Sequence, residues 1–276
     1  MQNTRAKISA YFMMFTAAAS CVLRFFQLTN YTDSETGNIV DGSNWAFYIY
    51  AAALLLLVCT GAYAALKGCR DYKVNLDAAG KREFRASTLL SITFFFDFVF
   101  QIYTGYSYFT NASYVDYIYF VPLAISAVFA LLSCFYFAVF SMTARGKNYD
   151  FKNLLWFHFA PVLWGISRLI IIMVKIVDVC ENVEIVLEFI FLVLLLVFLF
   201  CYIYMLDNGG KISKLFIFSA YSVFGLSVVM EVPRLLAAVS GKVDVILNAP
   251  YMGLNYIALG IFAVCLLKGA EKTADD

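Results

Sequence analysis

Apolar stretches of helix-spanning length alternate with short polar gaps along the whole chain. A helix needs about 20 apolar residues to cross the hydrocarbon core of a bilayer. Eight segments qualify: 8–28, 45–66, 86–108, 117–142, 154–175, 184–206, 214–238 and 251–268. The pattern predicts an all-α fold, a polytopic integral membrane bundle of about eight transmembrane helices. The gaps are short, so sequential helices should pack as antiparallel neighbours. They leave no room for a second unit, and residues 1–276 read as a single transmembrane domain.

The gaps also predict an orientation. With the N-terminus inside, the inner pieces hold Arg5 and Lys7; Lys67, Arg70, Lys73, Lys81, Arg82 and Arg85; Arg145, Lys147 and Lys152; Lys211 and Lys214; Lys268 and Lys272. The outer pieces hold only Lys175 and Lys242. Cytoplasmic loops carry the excess of Lys and Arg in membrane proteins. Both termini are therefore expected in the cytoplasm, and the membrane is expected to be the plasma membrane. The first apolar run, behind Arg5 and Lys7, is longer than the core of a cleavable signal. No small-residue cleavage site follows it, so it reads as a retained first helix.

Composition fits this picture. Hydrophobic residues make up 63% of the chain and charged ones 14%, against about a quarter charged in soluble domains. A net charge of +1 gives no case for nucleic acid as a partner; membrane lipids are the expected surroundings. Of seven cysteines, Cys21, Cys59, Cys134, Cys201 and Cys265 fall in apolar segments, and Cys69 and Cys180 in gaps. Their spacing fits neither a disulfide framework nor a zinc site.

Six charges break the apolar stretches: Arg24, Asp97, Arg168, Glu188, Glu231 and Arg234. A charge in hydrocarbon is costly, so it usually faces a bundle interior, finds a partner and marks a site. All six fall in the middle or outer half of their helices, with Asp97 deepest. Glu231 and Arg234 are three apart and Asp97 and Gln101 four apart, spacings that bring side chains together on a helix. Pro161 and Pro233 lie in helices five and seven, and intramembrane proline often accompanies a cavity. Trp164, Ser167, Tyr103, Tyr106 and Asn255 sit at similar depth and could line one.

The odd-numbered helices carry most of these polar residues. Ser167-Arg168-Leu169 and Pro233-Arg234-Leu235 share an Arg-Leu pair 66 residues apart. Four hairpin repeats, each a polar helix followed by an apolar one, would account for this. Transporters built from repeats bind substrate at repeat interfaces.

Several chemistries have no visible home. His158 is the one histidine, which excludes bis-imidazole haem and a histidine-rich metal site. It falls in the inner part of helix five, where hydrogen-bonded packing is its expected role. No dinucleotide fingerprint or phosphate-binding loop is present, and no hydrolase or zinc-protease motif. No cofactor is implied.

The expected function is binding or transport of a small anionic or zwitterionic molecule through an outward-facing polar pocket. Arg168, Arg234 and Arg24 would hold its anionic group, since the guanidinium fork suits carboxylate and phosphate. Asp97 and Glu231 would hold an amine or a proton. Gln101 and Trp164 would complete the site, with no metal. Two other readings stand beside it. A non-transporting receptor or complex subunit would use the same charges to lock helices or bind a partner. An intramembrane lipid-modifying enzyme would use the carboxylates as acid or base.

Overall fold

The computed structural model describes residues 2–31, 44–68, 81–111, 117–144, 156–176, 183–208, 210–240 and 253–275. Those residues form an all-helical bundle. The helices are α1 (Gln2–Asn30), α2 (Asn44–Gly68), α3 (Lys81–Asn111), α4 (Tyr117–Ala144), α5 (Ala160–Ile176), α6 (Val183–Asp207), α7 (Lys214–Val239) and α8 (Leu254–Asp275). Seven of them are long and apolar enough to cross a membrane. The eighth apolar stretch, Leu254–Lys268, is shorter.

The bundle buries charged side chains and also exposes many large apolar ones. Phe15, Val22, Leu55, Leu66, Phe96 and Ile118 all lie on the outside. Arg24, Arg168, Arg234, Asp97, Glu188 and Glu231 are all inside. Water would penalise an apolar surface of that extent, whereas lipid tails accept it.

Sequential helices pack as pairs, α1 on α2, α3 on α4, α5 on α6 and α7 on α8. The sequence also favours a hub. Helix α7 packs on α1, α2, α6 and α8, and its neighbours approach through glycines. A Cβ on Gly225 would lie 2.6 Å from Leu57 Cδ2, and one on Gly260 would lie 2.4 Å from Ser227 Oγ. Small residues at such points let transmembrane backbones come close, where van der Waals packing must supply the attraction.

Helix α8 runs through the middle. Tyr256, Leu259, Phe262, Ala263 and Leu266 are fully enclosed. Phe262 is the centre of an aromatic layer, meeting Phe137, Phe140 and Tyr202 edge-on at 5.3, 5.6 and 5.7 Å. Edge-to-face contacts of this kind are the preferred geometry of packed rings.

Helix five starts later than its hydropathy implies. A 3₁₀ turn covers 156–159, and the α-helix begins at Ala160. Pro161 thus lies in the first turn, where a missing N–H costs nothing because those donors lack helical partners. It does not lie in a helix interior. Pro233 does lie inside α7.

Candidate functional site

The candidate site is built in one half of the bundle, toward the C-terminal ends of α1 and α7, from three linked groups of side chains. The first centres on Asp97 of α3. Its Oδ2 accepts hydrogen bonds from Gln101 Nε2 at 2.8 Å, Trp164 Nε1 at 2.8 Å and Asn255 Nδ2 at 3.4 Å. One oxygen therefore joins α3, α5 and α8. The helical spacing of 97 and 101 provides one donor locally. The other two come from packing. Trp164 is held by Phe94 edge-on at 5.0 Å, and Ser167 returns its hydroxyl to the Trp164 carbonyl at 2.8 Å.

The second group lies one turn further along α5. Arg168 Nη2 bonds Glu188 Oε1 of α6 at 3.1 Å, and both side chains are buried. Tyr256 OH donates to the same Oε1 at 2.6 Å. Tyr256 follows Asn255 in sequence, so α8 touches both groups with adjacent residues. Gly253 makes room for this ring, because a Cβ there would lie 2.3 Å from Tyr256 Cδ2.

The third group belongs to α7, α1 and α2. Arg234 Nη1 bonds Glu231 Oε1 at 2.9 Å, across Pro233 and within the helix. Glu231 also accepts from the Gly253 backbone N–H, and it lies within electrostatic range of Glu188. Arg24 Nη1 bonds Gln27 Oε1 one turn on. The Arg24 guanidinium stands 5.0 Å from the centroid of the Tyr50 ring, a cation–π distance. Arg24 and Arg234 lie within electrostatic range of each other and of Tyr50.

All seven residues expected from sequence, Arg168, Glu231, Arg234, Asp97, Arg24, Gln101 and Trp164, are therefore buried in this half of the bundle. Arg24 and Arg234 do not snorkel to a headgroup layer. Two expected lining residues do not belong: Tyr103 and Tyr106 are 68% and 69% exposed and face outward. Sequence reasoning missed Glu188 as a site residue, along with Tyr256, Tyr50 and Gln27. Glu188 carried a signal, being a charge set inside the apolar run of an even-numbered helix. The tyrosines carried none among 19 of their kind.

Not every buried polar atom is satisfied. Among the described residues, Glu188 Oε2, Gln101 Oε1, the Tyr50 hydroxyl and Ser20 Oγ have no hydrogen-bond partner. Buried polar atoms are nearly always paired, so each exception calls for an explanation.

A separate polar chain lies in the other half of the bundle. Tyr136 OH is 3.0 Å from both Tyr202 OH and His158 Nδ1. All three side chains are buried. His158 thus has the hydrogen-bonded packing place expected for it.

Comparison with protein-family models, curated proteins and solved structures finds no match to this chain.

Proposed function

We propose that this chain is a multi-pass plasma-membrane protein that binds or transports a small anionic or zwitterionic molecule entering from the outer side. In this reading it has eight spans, both termini cytoplasmic, and a hairpin-repeat architecture. The observation that carries it is the convergence of three guanidinium groups and three carboxylates inside one half of the bundle. Six charges in hydrocarbon are costly to retain, and groups held at such cost usually mark a ligand or ion path. The close-packed aromatic layer around Phe262 supports entry from the opposite end, which is the outer side in this reading.

The second reading, a non-transporting receptor or complex subunit, also draws on a specific observation. Arg168–Glu188 and Arg234–Glu231 are closed ion pairs, and such pairs can serve to fix helix register. The lipid-modifying enzyme draws least from the geometry. Glu188 and Glu231 each hold a guanidinium, and Asp97 Oδ2 is already engaged by three donors.

Thermal unfolding of the detergent-purified protein tests the first reading. Ligands that bind the folded state raise its melting temperature by mass action. Acetate, phosphate and glycine are the probes, at matched ionic strength. At least one is expected to raise Tm, and Arg168→Lys, which keeps the charge but loses the fork, is expected to abolish the rise. A cooperative transition that none of the three moves would leave helix locking as the function of the cluster.

A further inference from the structure

Two buried acceptor atoms of the cluster have no hydrogen-bond partner among the described residues. Glu188 is wholly buried and uses one oxygen only: Oε1 takes both Arg168 and Tyr256, while Oε2 has no partner among the described residues. Gln101 repeats the asymmetry. Its Nε2 is bonded to Asp97, while its Oε1 is buried and unpartnered. The Tyr50 and Ser20 hydroxyls can accept as well as donate. Glu188 and Gln101 belong to one network, since Asn255 bonds Asp97 and its neighbour Tyr256 bonds Glu188.

An unused carboxylate oxygen is the more telling of the two acceptors. A buried, unsatisfied polar atom costs about 1–3 kcal/mol, and more when it is charged. The complement of an acceptor is a donor, and the complement of a carboxylate oxygen in a dry interior is a cationic donor, with which hydrogen bonds are shorter and stronger. An anion would meet repulsion at Oε2. So would a carboxylate-only ligand, the more so because Glu231 lies within electrostatic range.

We infer that Glu188 Oε2 is the anchor for the ammonium group of the ligand, so that the substrate class is an amine-bearing molecule, a zwitterion rather than a simple anion. The inference rests on the binding reading given above and narrows it. Gln101 Oε1 supplies a second, neutral acceptor of the same polarity. Glu188 thereby has two tasks on two oxygens: Oε1 fixes Arg168 and Tyr256, and Oε2 recognises the ligand.

The test uses methylammonium chloride as the probe, with choline chloride at equal ionic strength as control. Choline is cationic but has no N–H to donate. Methylammonium is expected to raise the Tm of the wild-type protein, choline to leave it unchanged, and Glu188→Gln to lose the rise. A second measurement needs no variant. A hydrophobic carbodiimide activates buried carboxyls, and peptide mass spectrometry reads the sum of products at Glu188, the N-acylurea and the N-methylamide that methylamine would form from the activated carboxyl. Methylammonium is expected to reduce modification at Glu188 at least several-fold relative to choline. A rise with acetate or phosphate but none with methylammonium, or equal modification of Glu188 with and without it, overturns the ammonium assignment and leaves the pocket standing. No rise with any probe removes both.

Discussion

Trp164 donates its indole N–H to Asp97 Oδ2 over 2.8 Å, and this bond ties the middle of α5 to the middle of α3. Both side chains are buried, Trp164 completely. Trp164→Phe keeps most of the ring and removes the donor. A hydrogen bond to a charged group is worth about 1.5–3 kcal/mol, so the variant should lose stability on that scale. The check is equilibrium unfolding in detergent micelles. Asp97→Asn should show a smaller added loss in the Trp164→Phe background than alone, because the two residues share one bond.

The Arg234–Glu231 pair makes a sharper prediction. Removing one member of a buried pair leaves an uncompensated charge and costs about 3–5 kcal/mol, whereas replacing both by apolar residues can be nearly neutral. Glu231→Gln should therefore lower the unfolding midpoint strongly. The double variant Glu231→Leu/Arg234→Met should regain most of the loss. That double variant also separates the two functional readings. If it is stable and no longer shifts with glycine, the pair contributes to binding. If it is stable and still shifts, the pair only locks α7.

Much of this arrangement was legible in the sequence, and the remainder failed for identifiable reasons. Apolar runs locate helices because lipid tolerates little else, and the expected 45–66 and 214–238 differ from α2 and α7 only at the ends. Buried charges are conspicuous for the same reason. Facing was harder. Tyr103 is two residues beyond Gln101, about 200° round the helix, and so looks away from the side that Asp97 and Gln101 share. Helical phase alone would have removed it. Partner choice was out of reach. Nothing local indicates that Arg168 meets Glu188, or that Tyr50 lies beneath Arg24, because those contacts are set by how α5 packs on α6 and α1 on α2.

Glycines that admit a close approach should be intolerant, and those that do not should be tolerant. A Cβ on Gly260 would lie 2.4 Å from Ser227 Oγ and 3.0 Å from the Phe224 Cα. The second contact is backbone and cannot rotate away. Gly260→Ala should cost about 1–3 kcal/mol, the range for overpacking. Gly105 is the control, since a Cβ there meets Leu123 Cδ2 at 3.7 Å and Phe120 Cε2 at 3.8 Å, ordinary contacts. Gly105→Ala should be neutral or stabilise by up to about 1 kcal/mol, through a less flexible unfolded chain. Melting curves of the two variants, measured side by side, decide the matter.

Orientation can be tested on two native cysteines. Cys69 and Cys180 lie outside the described residues, in the gaps after the second and fifth predicted spans. Cation counting places Cys69 with Arg70 and Lys73 on the inner side, and Cys180 on the outer side. A membrane-impermeant maleimide applied to intact cells should label Cys180 and spare Cys69. Permeabilisation should then expose Cys69. The two residues are separated by three predicted spans, so their opposite sidedness depends on an odd number of crossings between them. Labelling of both from outside would mean a miscounted helix between them. Labelling of Cys69 alone would invert the whole bundle, placing Arg168 and Glu188 nearer the cytoplasm and reversing the side from which a ligand enters.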